Sequence, residues 1–95
     1  MSINKIDYEV LTEGKSVYAN QAAAIGEVLN AMQQMNSSLA DGWTNQTATA
    51  FLERFDAEYK PAMENIRDAI QSISDYISSY SENEQARDAD SASRI

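Results

Sequence analysis

The side chains able to do chemistry in this chain are few in kind, because it has neither cysteine nor histidine. That composition excludes disulfides, thiol catalysis and the zinc and haem sites built on those residues. Hydroxyls, lysines and carboxylates remain. One carboxylate pair at calcium-ligand spacing, Asp88-Ala-Asp90, lacks the glycine and distal glutamate of an EF-hand loop. We therefore expect no catalytic site, no metal and no cofactor.

The charge balance narrows the class of partner. The formal net charge is −8, from 7 Lys and Arg against 15 Asp and Glu. A nucleic-acid-binding protein needs a basic stripe, and anionic lipid repels an acidic surface, so we expect no nucleic-acid partner and leave membrane interaction open. The N-terminus lacks the apolar run of a secretory signal peptide, and no segment approaches the ~20 apolar residues of a transmembrane helix.

The elements that position these side chains are two long amphipathic helices. Residues 5–40 contain no proline, and their apolar side chains fall on one face of a helix, with Asn4 as an N-cap candidate. That face predicts a helical core of Leu11, Tyr18, Ile25, Val28, Leu29, Met32 and Leu39.

A second amphipathic helix is predicted over residues 46–80. Its core residues are Phe51, Phe55, Tyr59, Ile66, Ile70 and Ile73. Pro61 removes a backbone hydrogen bond and clashes with the preceding turn, so we expect a kink there. Because the apolar register continues across Pro61 without a phase jump, the pattern predicts one bent helix.

The link between the helices spans residues 41–45. Gly42 is expected to end the first helix in the left-handed conformation, and Thr44 or Asn45 to cap the second. A short link makes the helices antiparallel, so residues 1–80 form a helical hairpin. Residues 81–95 have the small and charged composition of a flexible tail.

Both apolar faces are wider than a two-helix hairpin needs. On a helical wheel they cover arcs of roughly 180° and about 140°, whereas two paired helices bury a narrow seam. We therefore predict an all-α fold in which two antiparallel hairpins dimerise into a four-helix bundle.

Two aromatic positions stand apart from the helical pattern. Trp43 is the only tryptophan and lies in the link, where we expect it to pack against Leu39 and Phe51. Tyr80 ends the second helix and begins a Tyr-x-x-x-Glu sequence with Glu84. An acid near a helix C-terminus opposes the helix macrodipole, which hints at a role for Glu84 beyond local structure.

Taken together, these features resemble the WXG family of hundred-residue, Esx-type proteins of bacterial type VII secretion. The resemblance covers the whole chain, with one departure: Asn45 stands where the family's glycine usually follows Trp43 by two residues. It implies a substrate or effector, usually of a Gram-positive or mycobacterial species, that leaves the cytoplasm folded and without a cleaved signal peptide. By resemblance, Trp43, Asn45, Tyr80 and Glu84 form a composite export signal recognised by the secretion ATPase.

The resemblance further implies pairing, either with itself as a homodimer or with a paralogous hairpin. Two other functions remain open. One is an intracellular adaptor that escorts a larger type VII toxin by pairing with its helical region. The other is membrane disruption after export, through opening of the hairpin, which the acidic charge weakens.

Overall fold

The computed structural model describes residues 5–93 and shows two long antiparallel helical legs joined by a short link. The first leg is α1 (Tyr8–Gly42), and the second consists of α2 (Gln46–Arg54), a π-helical turn (Phe55–Tyr59) and α3 (Lys60–Ser93). No strand occurs within this described part of the chain. The molecule measures 74 × 22 × 20 Å. The predicted all-α helical hairpin is confirmed.

The start of α1 differs from the prediction. Asp7, not Asn4, is the N-cap: its Oδ1 accepts hydrogen bonds from the backbone N–H groups of Glu9 at 3.0 Å and Val10 at 3.3 Å. A carboxylate at this position satisfies free backbone donors and also favours the positive end of the helix dipole. Asn4 lies outside the described residues.

The residue that ends α1 also differs from the prediction. Gly42 is still helical and does not adopt positive φ, so the left-handed glycine stop is wrong. Trp43 ends the helix with extended angles, φ −136° and ψ 95°, while its N–H donates to the Leu39 carbonyl at 2.8 Å. The nonhelical link therefore shortens to residues 43–45.

A π-helical turn precedes Pro61, where the sequence predicted a kink. The N–H of Lys60 donates to the carbonyl of Phe55, five residues earlier, instead of four. A proline in a regular helix crowds the carbonyl four residues before it and cannot donate a hydrogen bond. The wider turn inserts an extra residue just ahead of Pro61, as single π turns in helices commonly do.

The extra residue in this π turn interrupts the seven-residue spacing of apolar residues that the sequence predicts across Pro61. Leu52, before the turn, is half-buried. Tyr59, Ile66, Ile73 and Tyr80 continue the same seven-residue spacing, yet all are exposed. The expectation of an uninterrupted register is wrong, because one inserted residue rotates everything after it by about 100°.

The second leg does not end at residue 80. The helix α3 continues to Ser93, so residues 81–93 of the predicted tail are helical, and residues 94–95 lie outside the described part. This stretch contains no glycine or proline, and its Ala, Glu, Gln and Arg residues are good helix formers. Composition alone therefore indicated flexibility where propensity and tertiary contacts produce a helix.

The two legs meet along a line that we call the hairpin seam. On α1 it is formed by Ala22 and Leu29, and on α3 by Ser74 and Ser81, all of which are buried. The hydroxyl of Ser74 donates to the backbone carbonyl of Lys15 at 2.7 Å, joining the two legs directly. Small and polar side chains thus line much of the seam.

Large apolar side chains lie beside the seam and point outward. Val28, Ile73 and Tyr80 each precede a buried seam residue by one position, a rotation of about 100° around the helix. Since the legs are antiparallel, the same rotation on each brings these residues to one side of the hairpin. We call this surface the apolar face; it comprises Val10, Val17, Tyr18, Val28, Met32 and Met35 of α1 with Ile66, Ile73, Tyr76 and Tyr80 of α3.

The predicted core residues divide according to this arrangement. Leu29 and Phe55 are buried, and four others are half-buried: Leu11, Ile25, Leu39 and Ile70. Those left exposed are Tyr18, Val28, Met32, Phe51, Tyr59, Ile66 and Ile73. None of the helices in residues 5–93 combines the length and apolar content needed to cross a membrane.

Candidate functional site

The link end of the hairpin is built around Trp43, which is half-buried. Its ring centroid lies 6.0 Å from that of Phe51, with the two planes tilted by 38°. A tilted pair at this separation is a favourable aromatic contact. The chain thus packs Trp43 over the start of the second leg while leaving part of the indole accessible.

Asn45 caps α2 in place of the glycine expected from the resemblance. Its Oδ1 accepts from the N–H of Ala48 at 2.8 Å, and its carbonyl accepts from the Thr49 hydroxyl at 3.2 Å. Its φ of −155° is ordinary extended backbone. Nothing at this position therefore requires glycine, and the asparagine satisfies a free N–H that a glycine would leave to water.

An open groove of about 760 Å³ runs along the link. It is lined by Trp43 and Asn45 of the link and by Leu52, Glu53 and Asp56 of the second leg. The lining thus combines apolar side chains with two acidic ones.

At the open end of the hairpin, Tyr80 and Glu84 lie one helical turn apart on α3. Tyr80 is exposed and lines a shallow pocket together with Lys5, Val10 and Leu11. The side chain of Glu84 is only 18% exposed, and its Oε1 accepts from Nη1 of Arg87 at 3.2 Å. The two residues therefore share one face of the helix, next to the beginning of α1.

Tyr8 joins this end from α1. Its hydroxyl donates to Oδ2 of Asp88 at 2.6 Å. The hydrogen bond to Asp88, followed by desolvation and the negative charges of Asp88 and Glu84, raises the pKa of Tyr8 from 10.0 to about 12. The phenol thus remains a protonated donor throughout the neutral range.

The two ends are far apart. Tyr80 lies beside Val10, and Trp43 follows the last residue of α1, so the intervening helix separates them by about 50 Å at 1.5 Å per residue. Within one chain, Trp43 and the Tyr80–Glu84 pair cannot contact a single small surface. Any site that uses both needs a second chain or a long partner.

Sequence reasoning missed Tyr8, Ser74 and Ser81, and it considered Asp88 only as a calcium ligand. The sequence did contain a signal, because Arg67, Ser74, Ser81 and Asp88 are spaced seven residues apart. The first three each follow a residue of the apolar face, and Asp88 follows Arg87. Such a polar heptad series marks the inward face of α3. No group of acidic residues within the described part is arranged to hold a metal ion.

Comparison with known proteins places the chain in one family. Neither curated proteins nor solved structures give a match. A family described as "Proteins of 100 residues with WXG" matches residues 4–89, which is most of the chain and includes both ends of the hairpin. The chain therefore belongs to the WXG100 family, which is associated with substrates of type VII secretion.

Proposed function

We propose that this chain is exported by a type VII secretion system as a folded dimer, and that Trp43 and the Tyr80–Glu84 pair are the two halves of its export signal. Proteins of this family typically pair as dimers in type VII secretion and are not typically enzymes. The chain would fold and pair in the cytoplasm and act outside the cell.

The apolar face is the observation that carries this proposal. Only four apolar residues within the described chain are buried, and two of them are alanines. Meanwhile Val28, Ile66 and Ile73 remain 47%, 54% and 42% exposed. A soluble protein rarely leaves a contiguous apolar strip of this kind in water.

The total surface supports the same conclusion. The chain exposes 7279 Å², about a third more than the area expected for a compact monomer of 10.5 kDa. A standard interface buries about 800 Å² per partner, which this excess can supply. Two hairpins that pair face to face would bury their apolar faces in a four-helix bundle.

Antiparallel pairing would also bring together Trp43 and the Tyr80–Glu84 pair, which are far apart in one chain. In such a dimer, the link of one chain lies beside the open end of the other, so that Trp43 of one copy approaches Tyr80 and Glu84 of its partner. The complete signal would then exist only after folding and pairing, so the secretion ATPase would bind the assembled dimer and not the single chain.

A second occupant fits the same apolar face. A paralogous hairpin, or the helical region of a larger exported toxin, would cover it equally well and make this chain an escorting adaptor. Native mass spectrometry of the purified protein separates the two roles. A stable homodimer supports export of the chain as its own substrate, whereas a persistent monomer supports the adaptor.

The direct test places charges on the apolar side of both legs. Ile25→Glu with Ile66→Glu is expected to abolish dimerisation and export together, because two carboxylates would have to be desolvated in the interface. The matched control, Asn20→Glu with Gln34→Glu, adds the same charge at exposed positions on the polar side of α1, away from the apolar face, and should leave both unchanged. Efficient export of a folded monomeric variant would overturn the proposal.

Trp43 needs a separate test, because packing and recognition both involve its indole. Trp43→Phe preserves an aromatic contact with Phe51 but removes the indole N–H and part of the accessible surface. Lost export with an unchanged melting temperature would show recognition. A lowered melting temperature with normal export would reduce Trp43 to a packing residue.

A further inference from the structure

The last turns of α3 form a helix that has little apolar reason to be ordered. Residues 81–93 contain no apolar side chain larger than alanine. Glu82, Glu84, Asp88 and Asp90 accumulate towards the C-terminal end of the helix, where the dipole disfavours negative charge. An anchor from elsewhere in the fold is needed to hold this segment.

Tyr8 provides a contact of the required kind. It is the first residue of α1, where the Asp7 cap fixes the backbone, and its hydroxyl reaches Asp88 at 2.6 Å across a sequence separation of 80 residues. A short hydrogen bond from a neutral hydroxyl to a carboxylate is stronger than one between neutral groups. It closes the open end of the hairpin two turns beyond Tyr80.

The turn between these points carries Glu84. Ser81 is buried in the seam and Glu84 is largely covered, so the helix from Tyr80 to Asp88 is held at its near end by packing and at its far end by Tyr8. Without the far anchor, the acidic turns after Ser81 would fray from the C-terminus towards Glu84.

We propose that Tyr8 is a positioning residue: its hydrogen bond to Asp88 keeps the end of α3 helical and thereby holds Tyr80 and Glu84 in one fixed arrangement. The consequence for export rests on the proposed function of Tyr80 and Glu84. The anchoring of the helix does not depend on that function and can be measured without secretion.

Hydrogen exchange tests the anchor. Tyr8→Phe retains the ring and removes only the hydroxyl, and amides of residues 84–90 should then exchange roughly threefold to tenfold faster. Tyr59→Phe is the matched control, since Tyr59 is 45% exposed at the π turn, outside the apolar face and far from residues 84–90, and its exchange pattern should equal that of the unaltered protein. Equal exchange in Tyr8→Phe and the unaltered protein would overturn the anchor.

A double-mutant cycle assigns the effect to the pair. In an Asp88→Ala background, Tyr8→Phe should no longer accelerate exchange, because the acceptor of its hydrogen bond is already absent. Additive effects would show that Tyr8 and Asp88 act independently and would overturn the proposal.

The export measurement then examines the link to the signal. Tyr8→Phe should lower export several-fold while the dimer persists in native mass spectrometry. Normal export despite accelerated exchange would refute the positioning role and leave the proposed secretion of the chain intact. If Tyr80→Ala and Glu84→Ala are also exported normally, the composite signal itself fails, which is a different result.

Discussion

The hairpin seam and the apolar face belong to the same two helices but are built from different side chains. At the seam, Ala22 and Leu29 meet Ser74 and Ser81, and the Ser74 hydroxyl bonds to a main-chain carbonyl of the other leg. On the apolar face, valines, isoleucines, methionines and tyrosines are left in water. Small and polar residues let the legs approach closely, whereas the large apolar residues lie on a surface that one hairpin cannot bury.

Packing within one chain and association between chains therefore use separate residues. The seam sets the register and spacing of the legs, and the apolar face supplies most of the apolar area that a partner would remove from water. Changes at the two surfaces should therefore be distinguishable by their dependence on protein concentration.

The largest expected effect contrasts Leu29 with Ile66. Leu29→Ala empties a buried seam position, 4% exposed, and should lower the free energy of unfolding by about 2–4 kcal/mol. Ile66→Ala should act mainly by raising the dimer dissociation constant, so its loss of stability should be small in dilute solution and grow to a plateau as protein concentration rises. Thermal unfolding across a concentration series measures both, and equal concentration dependence of the two variants would contradict the separation of surfaces.

A smaller effect is expected from the polar link in the seam. Ser74→Ala removes the hydrogen bond to Lys15 and should lower the free energy of unfolding by about 1 kcal/mol. Ser72→Ala is its control, because the exposed Ser72 hydroxyl bonds only within its own helix, to Asp68, at 2.9 Å. Chemical denaturation of both variants gives the difference, and an equal result for the two would show that the seam hydrogen bond adds nothing.

The smallest expected effect on stability concerns Tyr8, whose ionisation changes the free energy of unfolding only at high pH. Its hydrogen bond to Asp88 raises the pKa of Tyr8 from 10.0 to about 12. The folded protein therefore holds this proton more tightly than the unfolded chain, and the stabilisation is complete below pH 10 and lost as the pH rises through 12.

Absorbance at 295 nm follows that ionisation. Subtracting the titration curve of Tyr8→Phe from that of the unaltered protein should leave a single transition with a midpoint of about 12. In an Asp88→Ala background the midpoint should move down towards the ordinary tyrosine value of about 10. A midpoint near that ordinary value in the unaltered protein would exclude the Tyr8–Asp88 bond in solution.

The parts of the fold that could be predicted from sequence are those determined by local periodicity. The spacing of Leu11, Ile25 and Leu39 indicates a long amphipathic helix because helical neighbours lie three or four residues apart. Asn45 was predictable as a cap for the same local reason, and its bond to Ala48 confirms it. Trp43 and Phe51 were expected to pack, and their rings do.

The parts that could not be predicted depend on contacts between distant residues. The helix beyond Tyr80 has a composition typical of a tail, and its anchor, Tyr8, lies at the other end of the chain. The π turn arises where the packing of Phe55 and the ring of Pro61 meet, which a seven-residue periodicity does not register. In the sequence, Ser74 and Ser81 are typical of solvent-facing residues, but in the fold they are buried against α1.

The π turn also bears on which changes in chain length this hairpin can tolerate. Leu52 and Ser74 lie 22 residues apart across the π turn, and removing one residue from Phe55–Tyr59 would leave 21, which is three seven-residue repeats. A regular helix would then keep Leu52 and Ser74 on one side, so the buried side of the second leg would be preserved. Removing Ala24 from α1, which has no π turn, would instead put Asn30 in the place of Leu29 and take Val28 off the apolar face. A single codon lost at the π turn would thus be absorbed, whereas the same loss within α1 would exchange inside and outside for part of that helix.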